Sequence, residues 1–175
     1  MTVIARSAAA LTFAVLLTAI FAGCIEDESS QGRGVPVHSY RVVAVYPHDP
    51  EAFTQGLAYG DGVLYEGTGL YGSSSLRETM LETGEVSRSR SLPSQLFGEG
   101  IALWEDRLFQ LTWRSGICLV WDLEDLTVKK TFTYPTEGWG ITSDGRSLIM
   151  SDGSSELRFL DPESFRVTRT VEVLA

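Results

Sequence analysis

Three positions in this chain share a setting and differ in chemistry: Gln55 in Gln55-Gly56-Leu57-Ala58, Glu99 in Glu99-Gly100-Ile101-Ala102 and Trp139 in Trp139-Gly140-Ile141-Thr142. Each stands before a glycine that opens a short β-type run. Glu99 has a glycine on either side, Gly98 and Gly100, so a ligand could approach its backbone closely. Phe97 beside it and indoles nearby would lower local polarity and raise its carboxyl toward neutrality, the condition a proton shuttle needs. A channel-lining glutamate bonded to backbone amides is the other reading of the same residue. Gln55 offers an amide donor and a carbonyl acceptor, which suits it to hold a carboxamide or a developing oxyanion, or to cap an inner strand.

The elements that must position these residues follow from the spacing. The three copies lie 44 and 40 residues apart, and that period built from β-type segments marks the blades of a β-propeller, an all-β fold. In the second copy four strands are expected at about Gly100–Leu103, Arg107–Thr112, Ile117–Leu123 and Val128–Tyr134, separated by turn signals at Glu105-Asp106, Ser115-Gly116 and Glu124-Asp125. The third copy has turns at Asp144-Gly145, Asp152-Gly153 and Asp161-Pro162, and the first carries a longer glycine-rich loop from Gly67 to Ser75. Pro47, Pro93 and Pro135 each follow a β-type run and precede a repeat, where proline ends an outer strand. Tyr40–Tyr46 resembles such an outer strand with no inner strands before it, so it is expected to be the strand that closes a ring. Equivalent positions of successive blades converge on one axis, which places Gln55, Glu99 and Trp139 around a common centre.

The domain organisation reads as a lipoprotein-type signal over residues 1–24 ending at Cys24, a flexible tether over 25–39, and a partial propeller over 40–175 with repeats at about 55–98, 99–138 and 139–175. At about 42 residues per blade this gives about three blades plus the closing strand, where propellers usually have about four to eight. Two explanations stand: a C-terminally truncated chain, or copies that associate to bury open edges. The apolar stretch from Ala8 to Gly23 follows a lone Arg6, and Ala22-Gly23 precedes Cys24, which would carry the lipid. As a helix that stretch would reach roughly 24 Å against a hydrocarbon core of about 30 Å, short for an uncleaved anchor. Anchored by lipid, anchored by the helix or secreted, the domain is expected outside the cytoplasm. The formal charge of −9 disfavours nucleic acid and anionic lipid surfaces as partners. Cys118, in an apolar strand, reads as a buried and inert thiol.

Phe53-Thr54-Gln55-Gly56, Tyr65-Glu66-Gly67-Thr68-Gly69, Tyr71-Gly72, Ser74-Ser75-Leu76-Arg77, Phe97-Gly98-Glu99-Gly100, Leu111-Thr112-Trp113 and Glu137-Gly138-Trp139-Gly140 occur in that order. Together they resemble the plant-type (papaya-type) glutaminyl-peptide cyclotransferase family, from about Tyr40 to Ala175. The resemblance implies a five-bladed propeller, monomeric when full length, that converts the N-terminal glutamine of peptides and proteins to pyroglutamate with release of ammonia. It also implies Glu99 as the group that moves protons, and Gln55, Trp113, Trp139, Phe53 and Phe97 as the pocket that receives the substrate. Polar and aromatic pocket residues of the family's later blades have no counterpart here. A non-catalytic cell-surface propeller that binds peptides or proteins, and an inactive fragment, are the competing readings.

No metal or cofactor is expected. His38 and His48 lack companion ligands in the sequence, and the aspartates of Asp144-Gly145 and Asp152-Gly153 read as turn residues rather than calcium ligands. The glycines between Glu66 and Arg77 lack the Lys-Ser/Thr pair of a phosphate cradle. Trp104, in a turn, and Trp121, in a third strand, read as scaffold.

Overall fold

The computed structural model describes residues 36–174. The proposed signal, Cys24 and most of the tether lie outside these residues. Residues 36–41 are irregular and exposed, and the folded unit begins at Val42. Among the described residues no helix is long and apolar enough to cross a membrane.

The chain forms three four-stranded antiparallel sheets, each an up-and-down meander in sequence order. Blade one comprises β1 (Thr54–Gly60), β2 (Val63–Thr68), β3 (Ser75–Thr79) and β4 (Val86–Ser91). Blade two is β5 (Gly98–Trp104), β6 (Arg107–Thr112), β7 (Ile117–Asp122) and β8 (Val128–Thr133). Blade three is β9 (Ile141–Ser143), β10 (Leu148–Met150), β11 (Glu156–Leu160) and β12 (Val167–Glu172). The innermost strands β1, β5 and β9 lie side by side, so the blades form a partial, unclosed propeller.

Alternation along the central blade builds two cores. In β6 and β7, Leu108, Leu119 and Trp121 face blade one, where they meet Tyr65, Leu76, Leu92 and Leu96. Their neighbours Phe109, Leu111, Cys118 and Val120 face blade three, against Ile141, Leu148, Met150, Leu160 and Phe165. Burial on both faces is why these strands read as nearly continuous apolar runs. Gln110 is the polar interruption: fully buried, it donates to the Ser75 carbonyl at 3.3 Å and accepts from Trp121 Nε1 at 3.1 Å. Trp121 is therefore scaffold, as expected. Trp104 also stands away from the pocket, as the last residue of β5 rather than in the turn.

Glycine sets the approach of one blade to the next. A Cβ at Gly56 would lie 2.6 Å from the Ile101 nitrogen, and one at Gly100 would lie 2.7 Å from the Trp139 carbonyl oxygen. Gln55 and Glu99 are thus each followed by the residue that admits the next inner strand. At Gly140 the same added atom would meet Ser151 Oγ at 2.9 Å and no backbone. Outer contacts repeat as well. Arg88 on β4 donates to the carbonyls of Leu123 and Glu124 at the end of blade two, and Lys130 on β8 donates to that of Glu163 on blade three.

Residues 40–46 join no ladder with the three described sheets. Val43 and Val45 are 85% and 86% exposed. Alternation makes a segment competent to pair, but a ladder needs a neighbouring strand, and each of the three described sheets already has its own outermost strand.

Candidate active site

Phe53, Gln55, Phe97, Glu99, Trp113 and Trp139 line one cavity of about 350 Å³. These are the six residues singled out in the sequence, and the three blades bring them together from a stretch running from Phe53 to Trp139. Gln55 and Glu99 reach it from irregular points in otherwise regular strands, and the four aromatic residues from just outside strand ends. The β1–β2 register shifts between Thr54 and Gly56, and the β5–β6 register shifts between Gly98 and Ile101. Gln55 and Glu99 therefore sit on β-bulges, which re-aim a side chain off the pleat. Trp139 stands two residues before β9, with its N–H bonded to the Ser151 carbonyl at 3.0 Å and its carbonyl accepting from Gly100 N–H at 2.9 Å.

Aromatic packing fixes the cavity floor. Phe97, almost fully buried, is met edge-on by Phe53 at 6.1 Å, Tyr71 at 5.4 Å and Trp113 at 5.6 Å between ring centres. A Cβ at Gly69 would lie 2.5 Å from the Phe97 ring and 3.0 Å from Gln55 Cγ, so this glycine is what lets the first-blade loop close over them. Phe53 and Trp139 are half exposed and form the mouth.

Glu99 is the half-buried acid of this cavity. Burial raises its carboxyl to about 7; hydrogen bonding with Gln55 opposes that rise, and the neighbouring charge of Glu137 adds to it. Near neutrality such a group passes readily between acid and carboxylate. Gln55, its neighbour in the cavity, is steadied from behind. The adjacent Thr54 hydroxyl donates to Glu66 Oε1 at 2.5 Å, and His48 Nε2 lies 2.8 Å from the same oxygen of this buried glutamate. Arg77 then donates to Asp49 at 2.8 Å, tying the segment that enters β1 to blade one. His48, isolated in the sequence, is thus a structural partner.

Three further residues shape the cavity. Glu137 Oε2 accepts from Trp113 Nε1 at 2.7 Å and from Trp139 Nε1 at 3.0 Å, and these bonds hold its carboxyl below the usual range. Arg114 lies over the Trp113 ring at 3.9 Å and donates to Glu137 Oε1 at 3.3 Å. Gly153, at φ 82°, leaves room for the Trp139 ring, since a Cβ there would come within 2.8 Å of it. The signal for Glu137 was present as a carboxylate two residues from an indole, whereas Gly153 carried only a turn signal. Among the described residues no group of three or more His, Cys, Asp or Glu side chains could hold a metal ion. Asp144 accepts from the N–H groups of Arg146 and Ser147 at 2.8 and 2.7 Å, a turn-capping role. Cys118 is buried and free, and burial raises its thiol.

The family model described as glutamine cyclotransferase matches residues 15–175. The glutaminyl-peptide cyclotransferase of Arabidopsis thaliana is 44% identical over 134 residues, which cover 75% of this chain and 42% of that protein. The crystal structure of Myxococcus xanthus glutaminyl cyclase superposes with a TM-score of 0.68 at 35% identity, covering 74% of this chain and 54% of that one. The Neurospora crassa Pan2 WD40 domain, at 14% identity and a TM-score of 0.58, matches 68% of this chain and 36% of its own and shares the fold alone. The chain thus spans about half the length of the glutaminyl cyclases it matches.

Proposed function

Since the chain belongs to the glutamine cyclotransferase family, we propose that its cavity binds the N-terminal glutamine of a peptide or protein and cyclises it to pyroglutamate with release of ammonia. The observation that carries this reading is the placement of a carboxyl group titrating near 7 beside an amide side chain in a cavity otherwise walled by four aromatic rings.

The chemistry is an intramolecular acyl transfer. The substrate's α-amine attacks its own γ-carboxamide carbon, a C–N bond forms in a five-membered ring, and the bond to the terminal nitrogen breaks. Proximity comes largely from the substrate itself. What remains for the protein is one proton, taken from the attacking nitrogen and delivered to the departing one as ammonia leaves. Glu99 performs both transfers in turn, as carboxylate and then as acid, a contribution typically worth about 10² to 10⁴ in rate. The Gln55 amide holds the carboxamide and steadies its oxygen as charge develops there. Phe53, Phe97, Trp113 and Trp139 wall the reacting groups and limit water. No step calls for a metal or cofactor.

The setting of the reaction forms part of the same reading: the apolar stretch before Cys24 and the polar run after it support a lipid- or helix-tethered, or a secreted, protein working outside the cytoplasm. The acidic balance supports peptide substrates over nucleic acid.

The test is ammonia release from a fluorogenic glutaminyl peptide by the 175-residue chain and by Glu99→Gln. Turnover by the parent and at least a hundredfold loss in the variant is expected. Binding of the peptide with no turnover in either protein would instead mark a peptide-binding propeller.

A further inference from the structure

Trp113 lies just after β6 on blade two and Trp139 just before β9 on blade three, yet their indole nitrogens converge on one atom. Glu137 Oε2 accepts both N–H groups, at 2.7 and 3.0 Å. Trp139 has little else to hold it: its ring is half exposed and rests against the turn at Gly153. The other oxygen of Glu137 faces Arg114, whose guanidinium covers the Trp113 ring, so the carboxylate is braced on both sides. Arg114 and Glu99 are the charged groups that bear on it.

We propose that Glu137 is a positioning residue of the pocket: by gathering both indole N–H groups on one oxygen it fixes Trp113 and Trp139 as walls of set separation and withholds their donors from the substrate. The consequence is chemical as well as geometric. With both indole donors occupied, Gln55 and Glu99 are the polar side chains left to a ligand among the six that line the cavity. A substrate carboxamide is thereby directed to Gln55 instead of competing sites on the walls, while the rings present apolar surface. That the walls serve a glutaminyl substrate rests on the cyclisation reading; the bridge itself does not.

The test uses the whole 175-residue chain with ¹⁵N-labelled tryptophan, whose four indole N–H signals separate the pocket pair from Trp104 and Trp121. In the parent protein, lowering the pH should move the Trp113 and Trp139 signals together, with one midpoint below 4.5, the ordinary value for a glutamate. In Glu137→Ala the hydrogen exchange of these two should quicken about tenfold while Trp104 and Trp121 keep their shifts. Glu137→Gln, which retains a carbonyl acceptor, should keep exchange slow but abolish the shared titration. Independent titration of the two indoles, its persistence in Glu137→Gln, or unchanged exchange in Glu137→Ala overturns the bridge. Should Glu137→Ala fail to fold, the parent titration and Glu137→Gln decide alone.

Turnover of a glutaminyl peptide reads the pocket role. Glu137→Ala should raise KM about tenfold, and Glu137→Gln should recover most of that loss while moving the acid limb of kcat/KM to lower pH, because Glu99 loses a neighbouring negative charge. Equal KM in Glu137→Ala and Glu137→Gln would refute positioning. Absence of turnover by the parent chain counts against cyclisation and leaves the bridge to the indole signals.

Discussion

Replacing Glu99 by glutamine should stabilise the fold at alkaline pH while removing the proposed proton shuttle. Burial raises the carboxyl from 4.5 to about 7, so between these values the folded state holds a proton that the unfolded chain has released. Stability contributed by this site therefore falls as pH rises through that window, and the whole penalty stands above pH 7. The shift alone corresponds to about 3 kcal/mol at about 1.4 kcal/mol per unit, and because the group is only half-buried, solvent screening reduces this to about 1–2 kcal/mol. Glutamine carries no charge at any pH and can still bond to Gln55. For a chain of this size, the variant should melt about 3–8 °C above the parent at pH 8 and within about 2 °C of it at pH 5. Circular dichroism melts of both proteins at the two pH values measure this directly. An equal difference at both, or a larger gain at pH 5, would refute the argument that burial of charge dominates this site.

Gly153→Ala should disturb the pocket through one of its walls, Trp139. The positive φ costs about 1 kcal/mol, and the new methyl group strikes the Trp139 ring, so a shifted tryptophan emission and weaker peptide binding are expected with a melting temperature lowered by about 3–4 °C. Gln55→Ala removes the amide beside Glu99. It should lower kcat/KM by about 10² to 10³ for a glutaminyl peptide if that amide stabilises the oxyanion, and a loss confined to KM would restrict it to binding.

How much of this was legible beforehand depended on the range of the signal. The three residues before glycine announced themselves because repetition aligns them, and the period of the repeat carried them onto one axis. Strand positions in blade two followed from turn residues between β-type runs, and β6 at Arg107–Thr112 begins and ends where the sequence placed it. For residues 40–46 alternation reports what a strand could do and says nothing of the neighbour it needs, which none of the three described sheets supplies. The bulges at Gln55 and Glu99 were hidden, since one extra residue in a register is visible only against its partner strand. Glu137 was written into a motif without a role because its two indole partners lie 24 and two residues away, a convergence that only the packing of adjacent blades creates.

The glycines at positions 56 and 100 locate the clearance for each succeeding blade within the preceding one. The inner strand of a succeeding blade therefore finds its clearance already present in the backbone of the one before it. The side chain just ahead of the glycine is released from any duty in assembly, so a carboxamide, a carboxylate and an indole can occupy one lattice of equivalent sites. Different chemistry at the hub is thereby compatible with the same backbone joint at Gly56 and Gly100.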